Sequence, residues 1–153
     1  MQEWIDEHQT TFWLVVFPFY FGALWCFVCS LLSFIGGWST LATRYRLHSV
    51  FVGERWSFQS GQMRWSVNYG NCLTVGGNSQ GLYLAVLALF RFKQPPLLIP
   101  WEEVTVRRRQ LLFLNWVRLE LGRELHVPLS IRTKLAERLR VAAGDRWPVD
   151  GQR

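Results

Sequence analysis

Hydrophobic and polar positions change their spacing three times along this chain. Phe12 to Ile35 is a run of 24 residues containing no Asp, Glu, Lys, Arg or His. It predicts one helix that crosses a bilayer, which takes about 20 apolar residues. Met1 to Thr11 precedes it as a short polar tail. Gly36-Gly37 follows as a break or swivel, and Trp38 to Leu47 then mixes apolar and basic positions as a short amphipathic helix at the membrane surface would. Phe51 to Glu54 closes this connector.

From Arg55 the period becomes two. Trp56 and Phe58, then Met63, Trp65, Val67 and Tyr69, alternate with polar residues, predicting a half-buried strand with a bulge near Ser60-Gly61. Gly70-Asn71 and Gly76 to Ser79 read as turns flanking Cys72 to Val75, which makes an antiparallel meander running into Gly81 to Val86. Leu87 to Phe90 prolongs that strand or forms an apolar loop. Leu82 to Phe90, nine apolar residues, is too short for a second crossing. Further strands are predicted at Leu97 to Ile99, Val104 to Arg109, Trp116 to Leu121 and Leu125 to Leu129, with a turn at Pro100 to Glu103. Leu111 to Leu114 reads as an apolar hairpin end or a dip into the interface.

The period then returns to helical. Ile131, Leu135, Leu139 and Ala142 recur at helix spacing after Ser130, a residue that can cap a helix, and Gly144 ends the pattern. The reading is therefore α+β: an extracytoplasmic tail over 1–11, a transmembrane helix over 12–35 and a juxtamembrane connector over 36–54. An antiparallel β-barrel or sandwich of about seven strands with a closing helix at 131–142 fills 55–143, and 144–153 is a flexible tail.

Charge orients this arrangement. All 17 Lys and Arg lie at or after Arg44, while three of the 11 acids precede the span, leaving 17 − 8 = +9 for the remainder. Positive flanks stay in the cytoplasm, so the expectation is a single-pass protein of the cell membrane, N-terminus out and β-domain in the cytosol. Trp13 and Trp38 would bracket the span as interfacial anchors; the 25 residue steps from one to the other cover about 37 Å as helix. A cleaved signal peptide fits poorly, because the start is acidic and the apolar run too long. Three cysteines, two of them in the span, make no disulfide framework and suit a reducing compartment. Cys26 and Cys29 have redox-motif spacing but no neighbouring cation to activate a thiol, so they read as small apolar residues on one helix face.

Two segments carry a resemblance. The strand Gly81 to Leu84 feeds Pro95-Pro96-Leu97-Leu98-Ile99-Pro100-Trp101-Glu102-Glu103-Val104, whose Ile99-Pro100-Trp101 piece is similar to a strand-turn-strand signature of bacterial pleckstrin-homology-like domains. With Gly36 to Ala42, the chain resembles short bacterial single-pass membrane proteins that carry such a domain. The resemblance implies a fold and a membrane location, and it assigns no catalytic residue and no cofactor.

Chemistry-bearing groups are sparse. Gly77-Asn78-Ser79-Gln80-Gly81 spells a nucleophile elbow, but that device needs a helix after the serine, and strands flank this one. His48 and His126 lack neighbouring ligands at metal spacing. Glu102-Glu103 reads as a surface charge cluster beside Arg107 to Arg109. The candidate partner surface is Arg44, Arg46, Arg107, Arg108, Arg109, Arg118 and Arg123, suited to anionic lipid headgroups or to a membrane or cytosolic protein. Nucleic acid is not expected, since no recognition motif organises the aromatics. The function expected is a non-enzymatic, membrane-anchored interaction module. Alternatives are a structural subunit acting through its transmembrane helix and, third, a small hydrolase.

Overall fold

The computed structural model describes residues 2–64, 67–108 and 115–148. Helix α1 covers Gln2–Ile35 and α2 covers Trp38–Tyr45. Seven strands follow: β1 Glu54–Met63, β2 Val67–Gly77, β3 Gly81–Val86, β4 Leu97–Pro100, β5 Val104–Arg108, β6 Trp116–Leu121 and β7 Val127–Arg132. Helix α3, Thr133–Ala143, closes the chain before a short turn at Gly144–Arg146. The class is α+β, as the periodicity predicts.

All strand pairs are antiparallel, in the order β4-β3-β2-β1-β7-β6-β5, so the sheet curls into a nearly closed barrel. Alternation explains which side each residue takes. In β6, Val117, Leu119 and Leu121 point inward while Trp116, Arg118 and Glu120 are only partly covered. Strand β3 is buried at every position, because the connector crosses its outer face and stacks Phe51 on Tyr83 with ring centroids 4.4 Å apart. The core is apolar, and two helices complete it. From α2 come Trp38, Leu41 and Tyr45; from α3 come Leu135, Ala136, Leu139 and Ala143. Each fully buried leucine contributes about 1.5–3 kcal/mol relative to exposure.

Several expectations change. The first hairpin does not turn at Gly70-Asn71, which lies inside β2; the chain reverses between Met63 and Val67. Instead, Asn71 takes a positive φ of 53° within a register shift, and its backbone N–H donates to the Ser60 hydroxyl at 3.1 Å. Phe58, at φ 56°, marks a second bulge in β1. Ser130 caps nothing: it belongs to β7, because Ile131 completes the inward alternation after Val127 and Leu129. The helix begins at Thr133 rather than 131. The polar residues before the span continue α1 as helix. The supposed tail after Gly144 is docked as far as it is described, with Trp147 packed on Trp101 and Arg146 bonded to Glu102 at 2.8 Å. Residues 149–153 and Leu111 to Leu114 lie outside the described residues.

The connector is not a linker either. Arg46 bridges to Leu97, and the Leu47 N–H donates to the Pro96 carbonyl at 2.9 Å. The β-domain therefore begins at Trp38, at the first residue of α2.

Candidate membrane interface

Among the described residues one helical stretch, His8–Ile35 of α1, is long and apolar enough to cross a membrane, and little of it is buried. It runs through Pro18 without a break in the helix. Trp13 is exposed, as an outer interfacial residue would be. Trp38 is not: it is fully buried in the domain core, packs on Tyr69 and donates its indole N–H to the Pro95 carbonyl at 3.0 Å. As the first residue of a helix whose apolar stripe faces the barrel, its ring has no route to the lipid. The second of the two expected Trp brackets is therefore lost.

In its place, the last turns of α1 are built into the domain. The Trp25 indole N–H donates to the Leu89 carbonyl at 3.2 Å and its ring lies 5.1 Å from that of Phe90. One turn further, the Gln94 side-chain amide donates to the Cys29 carbonyl at 3.3 Å, and the Ser33 hydroxyl donates to the Lys93 carbonyl at 3.0 Å. Cys29, Ser33 and Gln94 are all buried by this contact. The Ser30 hydroxyl donates within its own helix, to the Cys26 carbonyl at 2.7 Å.

Gly36-Gly37 is a break but not a swivel, since both glycines are buried. A Cβ on Gly36 would meet the Leu32 carbonyl oxygen at 2.9 Å, and Gly37, at φ 83°, lies against Val127. Only glycine fits such a turn without strain. The span and the domain thus meet through a packed joint.

The basic candidates fall into separate places. Arg107 and Arg118 are cross-strand partners on the outer face of the β5–β6 pair, where Arg107 forms an ion pair with Glu120 at 3.3 Å. Arg44 pairs with Glu124 at 2.6 Å, Arg123 donates to the Glu102 carbonyl, and Arg46 is exposed beside its bridge to Leu97. Arg108 ends β5, and Arg109 lies outside the described residues. Around the root of α1 stand three residues that the sequence reading passed over: Arg64, beside Gly37, with Arg91 and Lys93 in the loop that docks on the span. All three are exposed. Isolated in sequence, they converge because the β1–β2 turn and the β3–β4 loop lie at the same end of the barrel.

The remaining groups have structural surroundings. Ser79 sits in the turn between β2 and β3, with a strand rather than a helix after it. Glu103 accepts a hydrogen bond from Tyr45, so Glu102 and Glu103 are tied to Arg146 and Tyr45 rather than to Arg107. His48 is exposed, and His126 lies 3.7 Å from Glu120. Burial raises the Cys72 thiol pKa above its ordinary value, which keeps it protonated and unreactive.

Tyr69 gives a direct test of the joint. Its hydroxyl is buried beside Gly36 without a hydrogen-bond partner among the described residues, and burial pushes its pKa well above the ordinary tyrosine value. Tyr69→Phe removes a desolvated polar atom and is expected to stabilise the protein by about 1 kcal/mol. The folded phenol holds its proton more tightly than the unfolded one. Its contribution is therefore complete below the unfolded pKa of about 10 and declines as pH rises through the interval up to the folded pKa. Thermal melts in micelles should show that alkaline decline for the parent and a smaller one for the variant; equal declines would contradict this reading.

No protein-family model, curated protein or solved structure matches the chain.

Proposed function

We propose that this chain is a single-pass, non-enzymatic interaction module whose pleckstrin-homology-like β-domain is held flush against the membrane that anchors it. Arg64, Arg91 and Lys93 rest on anionic headgroups, and the outer face of β5 and β6 is turned to a protein partner. The observation that carries this reading is the packed joint, from Trp25 on Leu89 to Gly37 on Val127, which leaves the domain one stance relative to the span. A barrel interior filled by apolar side chains points the same way, to recognition by surface rather than by cavity. The excess of Lys and Arg after the span favours a cytosolic domain of a cell-membrane protein.

Each basic residue near an anionic surface is worth about 1 kcal/mol. Full-length protein in micelles, titrated with fluorescent phosphatidylserine, is therefore expected to lose on the order of 100-fold in affinity when Arg64, Arg91 and Lys93 are all changed to Gln. The parent's affinity should also fall with added salt. Equal affinity for phosphatidylserine and phosphatidylcholine, insensitive to salt, would remove lipid from the proposal.

A further inference from the structure

The loop from Leu87 to Pro96 is more than the partner of α1. We propose that its tip, Leu89 with Phe90 and Phe92, is inserted in the hydrocarbon layer beside the span as a second, non-crossing membrane element. This inference rests on α1 crossing the bilayer, as the proposed function does.

Depth comes first from counting. Trp25 lies ten residues before Ile35, about 15 Å up the helix from its inner end. A hydrocarbon core takes about 20 residues of helix. For that core to stop short of Trp25 it would have to begin near Ile5, drawing Asp6, Glu7 and His8 into the lipid, where charge is costly. Trp25 is therefore in the apolar layer, and so is what it touches: the Leu89 carbonyl and the Phe90 ring.

The loop surface agrees. Leu89 is 71% exposed and Phe92 47% exposed, and on α1 Val28 and Leu32 are exposed as well. Water would leave these side chains unburied; acyl chains would not. Arg91, between them, sends its Nε–H back to the Val86 carbonyl at 3.1 Å, so its guanidinium turns from the tip toward the barrel, the side on which the headgroups lie. Lys93 stands where its carbonyl meets Ser33, two residues from the inner end of the span, so its flexible amine can reach the headgroups.

Backbone polarity is the independent argument. Irregular chain persists at membrane depth only where its N–H and C=O groups find protein partners. Four of the loop's N–H groups find such partners: those of Phe90, Arg91 and Gln94 bond to the carbonyls of Leu87, Ala88 and Arg91, and that of Leu87 bonds to Cys72, while those of Ala88, Leu89, Phe92 and Lys93 have none among the described residues. Pro95 and Pro96 have no N–H to satisfy. The carbonyls of Leu89, Lys93 and Pro95 accept from Trp25, Ser33 and Trp38. Trp25 and Ser33, both on α1, thus satisfy two loop carbonyls that acyl chains could not.

The test uses the full chain with Cys26, Cys29 and Cys72 replaced by Ala, reconstituted in phosphatidylcholine and phosphatidylserine vesicles. Single cysteines at Leu89, Phe92, Phe19 and Val50 carry a nitrobenzoxadiazole label. Val50 is 84% exposed on the connector, and Phe19 is in the span, so they serve as aqueous and lipid references. Labels at Leu89 and Phe92 are expected to lose most of their emission to lipids bearing a nitroxide on the acyl chain and to resist aqueous iodide, as Phe19 does and Val50 does not. If both loop labels behave like Val50 while Phe19 is quenched by lipid, the insertion is overturned and the anchor stands. If Phe19 also escapes lipid quenching, α1 does not cross and both readings fall.

Discussion

Trp38→Ala is expected to destabilise the β-domain by about 3–5 kcal/mol, the cost of emptying a fully buried tryptophan site. The side chain is 0% exposed, and the cavity would open between α2, Tyr69 and the barrel wall. The Pro95 carbonyl would lose its indole donor in the same step. Since 1 kcal/mol moves the melting temperature of a domain of this size by several degrees, the midpoint should drop by more than about 10 °C. Trp13→Ala is the comparison. Its ring is 58% exposed on α1, edge-on to the neighbouring Phe12 ring, so its loss should leave the domain's melt unchanged. Near-UV circular dichroism of the full-length protein in micelles reads both. Were Trp38 an interfacial anchor, the two variants would melt alike, and that result would refute the placement of α2 in the core.

The misplacement of Trp38 shows where the sequence stops being readable. A tryptophan just after an apolar run fits a membrane interface and fits a domain core equally well; hydropathy does not say which apolar body a helix stripe covers. The strands were plainer, because alternation in β6 and the punctuated Gly76 to Gly81 turn each admit one pairing. Gly70-Asn71 misled for a physical reason: a left-handed asparagine serves a bulge inside a strand as readily as a hairpin turn. Basic residues followed the same logic. Arg107 to Arg109 attract notice as a run, yet Arg107 and Arg118 lie on the outer sheet face near Glu120. Arg64, Arg91 and Lys93 stand apart in sequence and become neighbours of the span only once the topology brings two connections to one end.

The joint itself supplies the second large effect: Gly37→Val is expected to cost roughly 2–5 kcal/mol. A left-handed backbone charges an L-residue about 1–2 kcal/mol, and Gly37 is at φ 83°. Its new Cβ would stand 3.1 and 3.3 Å from the two methyls of Val127, and the valine branches would press further, adding overpacking of about 1–3 kcal/mol. Relief requires the turn to move. Moving it draws Ser33 off the Lys93 carbonyl and Cys29 off Gln94, since all of these contacts hang from the same end of α1. Amide exchange over Leu87 to Gln94 should therefore quicken along with the drop in melting temperature. Gly22→Ala is the control, because a Cβ there meets nothing within 4 Å and a helix gains from the change. If Gly37→Val melts like Gly22→Ala and leaves exchange in the loop unchanged, the turn is a free swivel after all. The domain then hangs from its span as from a string, with no fixed face toward the membrane.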